Sequence, residues 1–423
     1  MKAHSGRGLR WIGLFMAAAI ALPTAGLAVT DEEIFRDFRF NLANPGARSL
    51  GLGGAFIAVA DDATASLSNP SGLVRLSRPE VFGEIRQIDG EETENSSSGT
   101  FATIDTLTTP DSVLSPSFFA YAYPWKRFAV AGSYQELTNV DNEAAAAFVI
   151  PGFGSFESEG TIETKLSVIN VSGAVKIVES LTFGGTVAFG RLSMDTEVFN
   201  FAVTGPVLTP IFRTEIDDSD SDVAFNAGLH WKPLPSLSFG AVYRGGYEFE
   251  TDEEGTAPGG QSSSFVNTFN TPDSYGAGVA WQPVPALTVS ADWVHIKYTD
   301  ILEGFVSGLN AGVLFTPLDF TIEDADEGHI GIEYVFSAGT VPWAIRAGAF
   351  TDHNTRIFGD ETPGNTTVFG DPDAAAEVFP ERDTEVHYTV GGGVVLKQRY
   401  QIDVAASISD LVNEYVLSGI FRF

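Results

Sequence analysis

From about residue 80 onward, apolar and polar positions alternate with a period of two. In "SDVAFNAGLHW", Val223, Phe225, Ala227, Leu229 and Trp231 share one face, while Asp222, Asn226, Gly228 and His230 share the other. In "LSFGAVYRGGYEFE", Leu237, Phe239, Ala241, Tyr243, Tyr247 and Phe249 oppose Ser238, Gly240, Arg244, Glu248 and Glu250. "YGAGVAW", "HIGIEYVF", "QIDVAASIS" and "EYVLSGIFRF" repeat the pattern. Alternation of this kind predicts β-strands with one apolar face, about fourteen of them counted from Glu80.

The apolar face has two possible neighbours, a protein interior or lipid. The polar faces are heavy in Gly, Ala and Ser, and the apolar faces carry Phe, Tyr and Trp near the segment ends, as on a barrel whose outside meets a membrane. Connection lengths alternate as well. "PWK", "VES", "KPLPS", "QPVPA", "SAGTVP" and "KQR" are short, whereas the connections near 89–114, 139–160, 201–218, 251–271, 301–325 and 353–383 are long. Short turns on one rim and long loops on the other predict an all-β, transmembrane antiparallel barrel. In lipid every backbone N–H and C=O needs a partner, and only a closed sheet supplies one for all. Tyr415, Leu417, Gly419, Phe421 and Phe423 alternate up to a terminal aromatic residue, resembling the assembly signal of bacterial outer-membrane barrels.

The first residues add the compartment. Lys2, Arg7 and Arg10 precede an apolar run from Trp11 to Leu22 and the small residues Gly26-Leu27-Ala28, which reads as a signal peptide over 1–28. The chain has no Cys, so disulfides contribute nothing to its rigidity. With 24 basic and 55 acidic side chains the net charge is -31, and losing the three basic residues of the leader makes it -34. That balance argues against nucleic-acid partners. The acidity concentrates in the long connections, while Lys126, Arg127, Lys232, Lys397 and Arg399 sit at short turns.

"GARSLGLGGAFIAVADDATASLSNPSGL", from Gly46 to Leu73, breaks the pattern. It is too rich in glycine for a stable helix and too interrupted for a long strand. A barrel of this size has a lumen too wide for wall side chains alone to fill. A small-residue segment ahead of the first strand therefore predicts a hatch over 29–78 folded inside the barrel of 79–423. Gly53 and Gly54 permit close approach to the wall, Asn69-Pro70 makes a turn, and Asp61 and Asp62 are expected to meet Arg244 or Arg346.

This stretch resembles the N-terminal signature of the FadL/TodX family of outer-membrane long-chain fatty acid and hydrocarbon transporters. Asn69, Pro70, Gly72 and Leu73 match that signature, and Ser71 stands where the family usually has Ala. "VFPERDTEVHYTVGGGV" resembles the segment before the family's twelfth strand. The resemblance implies a hatch that gates around Asn69-Pro70-Ser71, capture of substrate at extracellular loops and exit sideways through the wall, for which Gly132 is a candidate kink. It also implies a monomer in the bacterial outer membrane, in contact with its lipid and lipopolysaccharide and delivered by the barrel-assembly machinery.

Enzymatic constellations are not evident. The five His after the leader lie on separate segments, no Gly-x-Ser-x-Gly elbow occurs, and no phosphate-loop spacing accompanies the glycines. No cofactor is expected. The long connections instead carry apolar residues, with Phe148, Phe153, Phe156, Phe201, Phe212, Phe305 and Phe315 as candidates for capturing a hydrophobic ligand. The rival reading is a non-transporting barrel whose acidic loops serve a secretion or surface-attachment machine.

Overall fold

The computed structural model describes residues 42–90, 93–98, 103–110, 112–150, 154–303, 320–353, 358–359, 381, 384–410 and 412–423. The leader, the start of the hatch, Phe153, Phe305 and Phe315 lie outside the described residues. Strands β1 (Glu80–Gly90), β2 (Val113–Trp125), β3 (Phe128–Ile150), β4 (Gly154–Val178), β5 (Leu181–Thr204) and β6 (Val207–Leu234) follow one another antiparallel. β7 (Leu237–Arg244, resuming as Glu248–Ala257) and β8 (Gln261–Asn270, resuming as Ser274–Val284) are each interrupted once. β9 (Leu287–Ile296), β10 (Ala325–Ala338), β11 (Val341–Asp352), β12 (Glu385–Leu396), β13 (Tyr400–Ile408) and β14 (Val412–Arg422) complete the circuit. β14 returns to β1 with Glu80 opposite Arg422 and Gly90 opposite Val412, which closes a 14-strand barrel.

The short connections fall where the sequence puts them. Lys126 and Lys397 adopt φ of 55° and 51°, and Gly339 of 67°, the left-handed conformations that tight hairpins require. The long connections differ from expectation. β3 runs to Ile150 and β4 begins at Gly154; β5 reaches Thr204 and β6 begins at Val207; the outer part of β7 ends at Ala257 and β8 begins at Gln261. Three of the expected loops are thus outer halves of long hairpins. Crossing a bilayer takes roughly 9–11 tilted residues. β4, β5 and β6 have 25, 24 and 28, so more than half of each stands beyond the membrane.

The polarity of β4 and β5 reverses where they leave the lipid. Near the short-turn rim of β4, Ile169 and Val171 point outward, 59% and 57% exposed, while Asn170, Ser172 and Ala174 are buried inside. Farther along, Glu157, Glu159 and Glu163 take the outer face while Ile162, Leu166 and Val168 turn inward. β5 does the same: Phe183 and Phe189 are outside below, and Leu192, Met194 and Val198 inside above. A period of two keeps each side chain on its face, so the environment must change along the wall. Lipid surrounds the lower band and water the upper extension. Trp125, Trp231, Trp281 and Trp343 ring the short-turn side of that band, and Trp293 and Tyr388 the other. Val171→Arg is therefore expected to cost ~2–4 kcal/mol in folding into lipid vesicles. Glu163→Arg on the same outer face is expected to cost nothing, since Asp141 and Asp195 flank it in register. Urea titration of the vesicle-inserted protein checks both.

One face assignment is corrected. Phe239 and Tyr243 point outward, but Tyr247 and Phe249, expected beside them, are 8% and 0% exposed inside the barrel, with Glu248 and Glu250 outside. The break at Gly245-Gly246 shifts the parity of the strand, which alternation read straight through it misses.

Candidate functional site

The segment before β1 folds as short pieces: helix α1 (Ala47–Gly51), helix α2 (Ala65–Ser68) and a 3-10 turn (Pro70–Arg75). Nearly every residue of it is buried, and its contacts reach round the whole interior. Ala47 N–H donates to Ser418 Oγ of β14, Ile57 N–H to Asp292 Oδ2 of β9, and Ser66 Oγ to Ser133 Oγ of β3. Small residues on both surfaces make this fit possible. Gly53 has φ +62°, and a Cβ there would lie 2.5 Å from the Ile330 carbonyl oxygen; a Cβ on Gly228 of β6 would lie 2.2 Å from Asn69 Oδ1. Alanines 60, 63 and 65 with Leu67, Leu73 and Leu76 then pack against Phe82, Phe118 and Ala120 of the wall.

Asn69 is the polar pin of the segment. It is fully buried; its Nδ2 donates to the carbonyls of Ile57 (2.9 Å) and Leu229 (3.1 Å), and its Oδ1 accepts from Ser71 N–H and Oγ. Pro70 begins the 3-10 turn, where its missing N–H costs nothing. Gly72 packs so close to Ala60 that a Cβ would sit 2.1 Å from its carbonyl oxygen. Gly54 lies beside His329, whose Nδ1 is 2.9 Å from the Gly53 carbonyl. All eight residues singled out in the segment are thus structural contacts between it and itself or the wall.

Asp61 and Asp62 do not meet Arg244 or Arg346 directly. Arg48, from α1, intervenes: it pairs with Asp61 at 2.5 Å, Asp62 at 3.7 Å and Glu333 of β10 at 3.0 Å. Glu333 also pairs with Arg346 at 2.7 Å, and Arg346 with Asp403 at 2.8 Å, so a chain of alternating charges ties the segment to β10, β11 and β13. Burial alone would raise the Asp61 carboxyl, but Arg48 and Arg75 outweigh it and hold it below the ordinary range; for Asp62 burial wins and pushes it up. Arg244 holds the segment another way, through Asn44 Oδ1 at 2.6 Å and the carbonyls of Leu42 and Ser68 at 3.3 Å. A single arginine among small residues forms no pattern, so the sequence does not single out Arg48 although it stands inside the quoted stretch.

Beside Arg244 the wall itself changes. The β6–β7 ladder runs to Asn226 opposite Arg244 and resumes only at Glu215 opposite Glu254. Between them, Glu248, Glu250 and Asp252 N–H donate not to carbonyls but to the carboxylates of Asp222, Asp220 and Asp218, at 3.0, 2.9 and 2.9 Å. Side chains thus replace backbone in the seam, and the neighbouring β8 is interrupted at the same level by Thr271–Asp273. The acidic run "DDSDSD" and the Gly-Gly and Thr-Pro pairs are its sequence marks. A cavity of about 40 Å³ lies just inside, between Leu42 and Leu67 of the segment, Val168 and Asn226 of the wall, and Gly245, Tyr247 and Pro272 of the break. Gly132, the expected kink, pairs regularly with Tyr121 and Val171; the register of β3 shifts at Leu137 instead.

Three of the capture candidates, Phe156, Phe201 and Phe212, have described side chains. Phe156, on β4 opposite Phe148 of β3, packs on the apolar interior of the upper barrel. Phe201 stacks on Phe199, and Phe212 lies against Gly255 of β7. Among the described residues, strands supply an apolar lining: Leu166, Leu192, Ile216, Phe249 and Phe269 form one buried cluster above the N-terminal segment.

No protein-family model and no curated protein matches the sequence. Solved structures do match the fold. A FadL homologue of Pseudomonas aeruginosa has 13% identity and a TM-score of 0.63, over 88% of this chain and 97% of that one. The toluene transporter TodX of P. putida has 14% identity and a TM-score of 0.59, over 90% and 99%. The toluene transporter TbuX of Ralstonia pickettii has 16% identity and a TM-score of 0.58, over 90% and 99%. The likeness covers about nine-tenths of the chain, which therefore has the fold of the FadL-type outer-membrane barrels.

Proposed function

We propose that the protein is a passive outer-membrane channel for hydrophobic small molecules, of the long-chain fatty acid or hydrocarbon class, and not an enzyme. The observation that carries this reading is the reversal of polarity along β4 and β5, which brings Ile162, Leu166, Val168, Leu192, Met194 and Val198 into the extracellular part of the lumen, interleaved with Ser158, Thr164, Thr196 and Asn200 and joined there by Phe249 and Phe269. Each CH₂ transferred from water to such a lining is worth ~0.8 kcal/mol, so an alkyl chain is held by area alone. The printed functions of TodX and TbuX, toluene transporters, support the same substrate class.

In this reading the N-terminal segment is the hatch, released or shifted to let ligand pass, and ligand leaves sideways through the seam between β6 and β7. The cavity beside the seam, about 40 Å³, is well below the ~150 Å³ that admits benzene. On this reading the barrel is closed, and passage requires Leu42, Leu67 or Tyr247 to move. The apolar belt meets outer-membrane lipid and lipopolysaccharide, β14 addresses the chain to the barrel-assembly machinery, and the barrel works as a monomer.

The test is uptake of labelled toluene and labelled oleate by cells lacking their own transporter. Expression of this chain is expected to raise the uptake of at least one. No gain for either, with folded protein in the outer membrane and a stoichiometric protein partner recovered from it, would replace this reading with the interaction-platform one.

A further inference from the structure

The geometry points to a divalent transition-metal site, of the zinc class, at the outer end of β11 and β12, formed by Asp352, Glu385 and His387. The inference does not depend on transport and stands apart from the hatch and the seam.

Asp352 and Glu385 are directly opposite one another in the β11–β12 ladder, and His387 lies two residues along β12 on the same face. The cross-strand register thus brings two carboxylates and one imidazole to the same face at the end of the sheet. His387 Nε2 is 3.6 Å from Asp352 Oδ2 and 3.6 Å from Glu385 Oε2. The donor atoms of all three residues lie within 4.8 Å of one another. Zinc bonds of ~2.0–2.2 Å in tetrahedral arrangement place ligand atoms roughly 3.3–3.6 Å apart, which the two spacings from His387 meet at the upper end.

A second, independent observation concerns the imidazole. The residue is 3% exposed, and its Nε2 makes no hydrogen bond although it faces both carboxylates. Its ring is stacked on Phe350 at 4.4 Å with a 10° interplanar angle, and its Nδ1 is 3.2 Å from Ser407 Oγ. With Nδ1–H donating to that hydroxyl, the Nε2 lone pair is left pointing at two anionic oxygens. Such an arrangement offers one nitrogen and two oxygen ligands to a cation. A hydrogen-bonded outer nitrogen is also how metal-binding histidines are commonly oriented. One imidazole and two carboxylates suit Zn²⁺, Mn²⁺, Fe²⁺ or Ni²⁺ better than Cu⁺, which prefers sulfur. Three protein ligands leave a position for water, and the ion joins the end of one strand to the start of the next.

The experiment uses the full chain in detergent, stripped with chelator and titrated with Zn²⁺ against a chromophoric competitor, and separately with Co²⁺ followed by its visible absorption. One saturable equivalent and a Co²⁺ spectrum of low-symmetry N/O coordination are expected. Asp352→Asn and His387→Gln are each expected to weaken binding at least about tenfold, and His295→Gln, which alters an ion pair with Asp326 elsewhere, to leave it unchanged. Heat-shifted electrophoretic mobility verifies that each variant is folded. Absence of a saturable equivalent on the wild-type chain overturns the site, and so does equal binding by folded His387→Gln. Should His387→Gln not fold, the wild-type Co²⁺ spectrum and Asp352→Asn decide.

Discussion

Deleting residues 29–68 is expected to turn a silent barrel into a steadily conducting one in planar bilayers, with current at least about tenfold above the intact protein. The lower interior is filled by two sets of side chains: those of the wall and those of the segment from Asn44 to Leu76. Ala60, Ala63, Ala65 and Leu67 supply much of the apolar filling against Phe82, Phe118 and Ala131, and deletion removes all four. The charged wall residues at that level, Glu80, Glu84, Arg86, Asp292, Glu333, Arg346 and Asp403, are ones that water solvates readily once it enters. No strand-to-strand ladder passes through the deleted segment, so the barrel closes as before between β14 and β1. The protein should therefore remain heat-modifiable while it leaks. An unchanged conductance, with the barrel folded, would show that something other than this segment blocks the lumen.

Most of the architecture was legible because a membrane barrel writes its two environments directly into alternate residues. Val223, Phe225, Leu229 and Trp231 face outward and Asn226 and His230 inward, as their parity demands. The six short turns were legible for a related reason: a hairpin reversal in two or three residues leaves no room for an apolar repeat. What alternation alone does not carry is where the environment changes. Ala144 to Phe156 and Phe201 to Phe212 look like apolar loops because their residues no longer alternate apolar with polar. The ladder nevertheless pairs them residue by residue, Phe148 with Phe156 and Phe201 with Pro210.

The candidate site was legible in part. Small residues and the Asn-Pro turn marked the segment that fills the lumen, because close backbone approach excludes larger side chains whatever the sequence around them. The partners of its charges were not legible. Arg48 lies hundreds of positions from Glu333 and Asp403, and they meet only because β10, β11 and β13 lie on one side of the closed sheet. The seam was written in the sequence but resembled ordinary surface acidity. Asp218, Asp220 and Asp222 are distinguished only by what they accept, three backbone N–H groups left without carbonyl partners where β7 diverges.

The link between segment and wall gives the second large effect. Arg48→Met is expected to loosen the hatch without weakening the barrel. Glu333 keeps Arg346, which it shares with Asp403, at 2.7 Å, so each wall carboxylate retains a cation partner. Asp61, 38% exposed at its side chain, rehydrates, which reduces the loss on that side. The remaining cost falls on the seated position of the segment. Losing charge-assisted hydrogen bonds to a buried carboxylate is worth ~1.5–3 kcal/mol. At about 1.4 kcal/mol per factor of ten, the unseated population rises roughly 10- to 100-fold. Brief, discrete openings should therefore appear in single-channel records, in contrast to the continuous current of the deletion. Arg346→Met is the control with the opposite signature. It leaves Asp403, 2% exposed at its side chain, without its 2.8 Å partner and takes one of the two arginines from Glu333. Removing one member of such a buried pair costs ~3–5 kcal/mol, and the loss is expected in the temperature at which the barrel unfolds. If Arg48→Met conducts no more than the wild type while Arg346→Met destabilises as expected, the charge chain holds the wall together and does not hold the hatch in place.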